Sequence, residues 1–178
     1  MKKWAIAALV ALVGCGGDGG PTEPLVPRES VAGTYVASRL LFDPTGPAFP
    51  EVDLIPRLTG SLPQLVVSGT DNQFQLIVRN PSTGFVTTVD ATYALTATGV
   101  RLAFKNLADA QLLFLPQRAE LEYDSAGGTL SFVSQVTIPR DRLIELVPEW
   151  SEDAQTIANP VPGLLQLQLT KATVVQLP

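Results

Sequence analysis

The sequence predicts an all-β domain, an antiparallel up-and-down β-barrel of about eight strands with at most one or two short helices. Three observations carry that expectation. Apolar and polar residues alternate with period two over segment after segment. Glycine, proline, asparagine and aspartate cluster between those segments at hairpin spacing. Convincing helical periodicity is nearly missing. A meander of hairpins hides its strand edges best by closing on itself. A β-sandwich is the alternative architecture.

Gly33 to Leu41 reads as the first strand. A long connection follows, Asp43 to Gly60, in which Pro44, Pro47, Pro50 and Pro56 exclude regular structure over most of its length. Leu62 to Ser68 is the second strand, and Gly69-Thr70-Asp71-Asn72 a turn. In the third, Phe74, Leu76 and Val78 alternate with Gln73, Gln75 and Arg79, and Asn80 to Gly84 turns the chain again. The fourth is the cleanest, with Phe85, Thr87, Val89, Ala91, Tyr93, Leu95 and Ala97 on one face. Gly99 folds it back into Val100–Lys105 as a tight hairpin. The segment 106–115 reads either as a short helix capped by Asn106 or as a strand. Arg118 to Asp124 alternates cleanly, Ala126-Gly127-Gly128 turns, and Leu130 to Ile138 returns. Leu143, Leu146, Val147 and Trp150 sit at helical spacing, but Pro148 limits them to a short helix or an irregular lid. Leu164 to Ala172 closes the series.

The N-terminus has a different grammar. Met1-Lys2-Lys3 is basic, and Trp4 to Val13 is aliphatic and alanine-rich, as in a secretory signal. A run of about 10 residues is too short for a bilayer core that needs about 20 in a helix. Leu12-Val13-Gly14-Cys15 resembles the lipobox of bacterial lipoproteins, with Cys15 at the modified position. The resemblance implies a diacylglyceryl thioether on Cys15, cleavage before it, and acylation of the freed amine, palmitate among the usual chains. Each buried methylene contributes about 0.8 kcal/mol, so two or three chains hold a soluble domain on a membrane. Gly16, rather than an aspartate, follows Cys15, which in that family points to the periplasmic face of the outer membrane. Gly16 to Gly20, then Pro21, Pro24 and Pro27, form a tether. The expected organisation is therefore a signal peptide over 1–14, lipidated cysteine and tether over 15–30, and a barrel domain over 31–178.

About 150 residues in that domain are enough for one real core. Without Lys2 and Lys3, ten basic residues face 17 acidic ones, a formal charge of −7. Such a surface gains nothing from neutralising phosphates, so nucleic acid is not an expected partner. The chain has no histidine and one cysteine, so neither a Cys/His zinc site nor a disulfide within the domain can be built. A Ser-His-Asp relay is impossible, and no Gly-x-Ser-x-Gly elbow occurs. An enzyme working through carboxylates alone is the class left open, and no enzyme is expected. Arg118, Glu120, Glu122 and Asp124 share one strand face and read as a solvated wall. Glu145, Glu149, Glu152 and Asp153 make an acidic patch near Trp150 without the spacing of a calcium loop.

Val31-Ala32-Gly33-Thr34-Tyr35, just after the tether, resembles the first-strand Gly-x-Tyr/Trp pattern of small lipocalin-like bacterial lipoproteins. The hairpin from Ala91 to Leu102 resembles their recurring Gly-x-Tyr … Gly-x-x-Leu hairpin, with Ala91 in the place of glycine. That resemblance implies a calycin-type barrel that binds an apolar molecule and has no catalytic residue; the expected ligand is small and apolar or amphipathic, and no metal or cofactor is expected. The long connection lies where such folds carry a loop over the barrel mouth, and it is expected to expose Phe42, Phe49, Leu54 and Ile55. Bulky residues on the inward faces, Phe85 and Phe132 among them, favour a nearly filled interior. The side chains expected to meet a ligand are Phe42, Phe49, Leu54, Tyr93, Phe104 and Tyr123. The alternative is a non-enzymatic structural or interaction module of the envelope, using the barrel wall or an open strand edge.

The anchor has a direct test. Cys15→Ala should abolish incorporation of labelled palmitate and move the protein from the detergent phase to the aqueous phase on partitioning.

Overall fold

A computed structural model describes residues 25–46, 49–58, 62–79, 84–152, 156 and 158–172. The signal, Cys15, the glycine run and Asp153 lie outside the described residues, as does most of the turn after Arg79. The strands are β1 (Gly33–Pro44), β2 (Val52–Asp53), β3 (Gln64–Val67), β4 (Gln73–Arg79), β5 (Val86–Leu95), β6 (Gly99–Ala103), β7 (Arg118–Asp124), β8 (Thr129–Ile138) and β9 (Val161–Lys171). From β3 onward each strand pairs antiparallel with the next, β3 pairs with β1, and β9 returns to β1. The result is a closed eight-stranded up-and-down barrel. The two-residue β2 lies beside the far half of β1, which is how the long connection begins its return.

β1 is the longest strand and carries the closure. Its register with β9 runs from Tyr35↔Lys171 to Pro44↔Gly163 and slips once between Ala37 and Arg39. Ser38 is the extra residue of that bulge. Its hydroxyl donates to Gln168 O (3.2 Å) and accepts from Thr170 Oγ1 (2.7 Å), bridging the gap in the ladder. At the far end of the seam Gly163 lies under the Phe42 ring. A Cβ there would stand 2.5 Å from Asp43 O and 2.5 Å from Phe42 Cζ.

The two ends of the barrel differ. At one, turns of a few residues join β3 to β4, β5 to β6 and β7 to β8. Asp124 holds the last of these by accepting from the N–H groups of Ala126 (2.9 Å) and Gly127 (3.1 Å). Residues 26–30, read from sequence as tether, pack here. Val26 N–H donates to Thr96 O (2.9 Å), and the single-turn helix α1 (Arg28–Val31) sets Val31 under the barrel. The buried Tyr35 hydroxyl donates to Val31 O (2.8 Å), and Lys171 Nζ caps Ser30 O (3.0 Å). At the other end the long connections gather. Segment 106–115 is helix α2 (Leu107–Ala110) followed by a 3-10 turn over Gln111–Leu113, and Asn106 Oδ1 caps it by accepting from Asp109 N–H (2.9 Å). The lid is helix α3 (Arg140–Leu146) and a 3-10 turn over Pro148–Ser151, which bury Leu143, Leu146 and Trp150.

The interior is full. Tyr35, Phe42, Leu65, Phe74, Leu76, Leu102 and Leu121 are each at most 1% exposed. Side chains with no surface that water can touch leave no water-sized void between them. Among the described residues no polar or charged residue is buried. Two expectations are corrected. The long connection does not expose Phe42 and Leu54: both are 0% exposed, because β2 folds Leu54 back onto Leu40 O (2.8 Å). Phe85 shares the inward face of β5 but is 75% exposed, since the strand overshoots the barrel lip there.

Gly163→Ala should cost about 1–3 kcal/mol in urea unfolding, because a backbone carbonyl and a packed ring leave the new methyl nowhere to go. Burial pushes the Tyr35 hydroxyl well above its ordinary range, with Tyr123 adding to the shift. The unfolded chain therefore loses that proton above about pH 10 while the folded chain keeps it, so stability falls as pH rises past that point. Tyr35→Phe should lose about 1 kcal/mol at pH 7 with the Val31 hydrogen bond and show a weaker further loss at pH 11.

Candidate functional site: a groove outside the barrel

The six side chains named from sequence are not gathered into one site. Phe42, Leu54, Tyr93 and Phe104 are at most 5% exposed and belong to the core. Phe104 meets Phe74 edge to face at 5.2 Å, and the Tyr93 hydroxyl donates to Ser68 O (2.6 Å) at the tight-turn end. Phe49 packs on Trp150 with ring centroids 4.8 Å apart and lines a small hollow of about 210 Å³. Tyr123 is half-buried against the core from β7. Most of these rings hold the barrel together and present no free face.

The apolar concavity lies elsewhere, outside the barrel at the long-loop end. β9 follows β8 along its whole length, whereas β7 pairs with β8 only over 122–124 and 129–131. Beyond that point β7 and β8 splay. Ser134, at an inward-pointing position of β8, is consequently exposed. The connection between β6 and β7 adds Leu113, Phe114 and Leu115, each 1% exposed, to the core. Phe114 takes a left-handed conformation (φ 60°) to make that turn, unusual for a bulky residue and stabilised here by burial of its ring.

What remains outside is a groove of about 540 Å³. Leu107, Pro116, Val136, Pro139, Pro160 and Pro162 supply its apolar walls. Gln111, Gln117, Gln135 and Thr137 supply its polar groups. A second hollow of about 440 Å³ continues it over α2 and α3, sharing Leu107, Gln111 and Pro139 and ending at Arg142. The prolines add to its apolar character, since each lacks an N–H that would otherwise seek water. Two glutamines are locked in orientation. Gln111 Nε2 donates to Leu115 O (3.1 Å), and Gln117 Nε2 to Phe104 O (3.3 Å) and Lys105 O (3.1 Å). The Gln111 carbonyl oxygen is buried without a partner. Leu107 is 54% exposed, an apolar side chain open to the solvent at the rim. A depression of similar size, about 570 Å³, lies on the wall of β4 and β5, but Asp71, Gln73, Gln75 and Asp90 make it an ordinary wetted surface.

Several of the charged groups are held in surface pairs. Glu120 pairs with Arg101 across β6 and β7 (3.1 Å), and Glu145 with Arg142 within α3 (2.5 Å). Glu149 pairs with Arg57, and its own backbone N–H together with that guanidinium holds its carboxyl below the usual range. Among the described residues no three metal-ligating side chains come together. The groove escapes sequence reading because its walls come from four separate segments, each unremarkable alone. The one local hint is the density of prolines at 116, 139, 160 and 162. Compared with protein-family models, curated proteins and solved structures, the chain matches none.

Proposed function

We propose that this chain is a lipid-anchored protein of the cell envelope, on the periplasmic face of the outer membrane, that binds a small apolar or amphipathic molecule. The observation that carries the binding reading is the proline-walled groove of about 540 Å³, whose continuation gives room for an elongated body. That volume falls in the range of small-molecule sites, which are mostly apolar with a few placed polar groups. The filled interior moves recognition from the barrel's lumen, where its fold resemblance would put it, to this outer surface. The resemblance of Leu12-Val13-Gly14-Cys15 to a lipobox supports the location, and the way the chain joins the barrel gives the arrangement meaning. It arrives at the tight-turn end through Val26 and α1, so the anchored segment joins the barrel at the end opposite the groove. The protein is read as a binder and not an enzyme, because the groove offers amides, prolines, the Thr137 hydroxyl and one paired arginine, and none of its lining residues is a base for that hydroxyl.

Native mass spectrometry of the full chain purified from membranes in detergent should reveal a co-purifying species of defined mass. Dansyl-labelled fatty acid and isoprenol, added to the stripped protein, should bind in the groove. Leu107→Asp puts a charge on the rim at an exposed position, leaving the core alone. Affinity should fall roughly tenfold or more, the worth of about 1.5–3 kcal/mol for one buried leucine side chain. A clean apo mass with no response to either probe would sink the proposal.

A further inference from the structure

β5 has a partner along most of one edge and along only half of the other. It pairs with β4 from Val86 to Thr92, but with β6 only from Thr92 to Leu95. Hydrogen bonds at the turns fix which groups face which way. Thr96 N–H donates to Gly99 O (2.9 Å), so residues 96, 94 and 92 turn their backbone groups toward β6. Tyr93 N–H donates to Asn72 O (2.9 Å), so the odd residues face β4. By that parity Val86, Thr88 and Asp90 direct three N–H and three C=O groups to an edge that β6 has left. Among the described residues no backbone group pairs with them there. β6 ends at Ala103: Phe104 N–H still bonds Gln117 O (3.0 Å) on the β7 side, but nothing continues beside β5, and from Asn106 the chain turns into α2.

Natural barrels guard such edges with lysine, proline, bulges or a covering loop. Residues 86–90 contain no lysine or proline, and their register with β4 has no slip. The single charge, Asp90, accepts from Gln75 Nε2 (2.8 Å) on β4. Val86 is 52% exposed, and Phe85, just before it, 75%. Among the described residues the stretch without a backbone partner on this side is about 17 Å long at the usual rise of a strand.

We propose that this edge takes up an extended segment of a partner protein as an added strand. Donors and acceptors repeating at every second residue, about 6.8 Å apart, match the main chain of another extended polypeptide. The segment that fits is free of proline, rich in β-branched residues, and carries no acidic side chain opposite Asp90. A second copy adding its own β5 is the competing occupant, which hydrogen exchange separates by its dependence on protein concentration. The surface is separate from the groove and stands whether or not the groove binds a ligand.

Amide hydrogen exchange on the 15N-labelled full chain in detergent tests this. The probe is a capped Lys-Thr-Val-Thr-Val-Thr-Lys peptide, with the same peptide N-methylated at its central residues as control. Without peptide, the amides of Val86, Thr88 and Asp90 should exchange fast, and those of Thr87 and Val89 slowly. The probe should slow the first three at least tenfold, and the methylated control should not. No slowing at millimolar probe, equal slowing by the control, or full protection without peptide overturns the proposal. Protection that grows with protein concentration alone assigns the edge to a second copy and overturns the partner.

Discussion

Barrel closure between β1 and β9 is the constraint on which the rest of the molecule depends. These two strands are the first and last long strands of the sheet, so their pairing has the greatest sequence separation in the fold and its loop closure the largest entropic cost. The seam meets that cost with a continuous ladder from Tyr35 to Pro44, a bulge bridged by the Ser38 hydroxyl, and a glycine under the Phe42 ring. Once it is shut, every inward side chain of the other strands has a surface to bury against. The sandwich alternative lacks this pairing, and the sequence alone does not decide between the two.

The strands were legible because each is its own pattern. β4 and β7 begin and end where the alternation of Gln73–Arg79 and Arg118–Asp124 begins and ends. The helical option for 106–115 followed from Asn106, a local cap acting on a local backbone. What alternation could not show was where a strand leaves the barrel. Phe85 keeps the period of β5 yet lies past the lip, and Ser134 keeps that of β8 yet faces a split. Both depend on how far a neighbour continues, which is a property of pairs. The candidate site was illegible for the same reason: Leu107, Pro116, Val136 and Pro160 become neighbours only through the splay of β7 from β8.

The large aromatics invite a ligand-binding reading because lumen-facing rings are what a carrier barrel displays. Here they are consumed by packing. Eight strands enclose space that side chains can just fill, and Tyr35, Phe42, Phe74 and Leu102 fill it. A filled barrel is a stiff support, and its variable chemistry moves to its connections, as loops on rigid scaffolds commonly do. The groove, the lid around Trp150 and the uncovered half of β5 all lie toward the same end.

Adjacent first and last strands leave one more mark. Val26 is bonded to the β5–β6 turn, and Ala172 N–H to Thr34 O (2.7 Å), so both limits of the described chain sit at the tight-turn end. The ladder therefore does not care where the polypeptide is cut. Joining those two ends and opening a connection at the opposite pole would give a permuted chain with the same neighbours, its free termini beside the groove. Sequence order here is a route around the wall, and the wall has no privileged starting point.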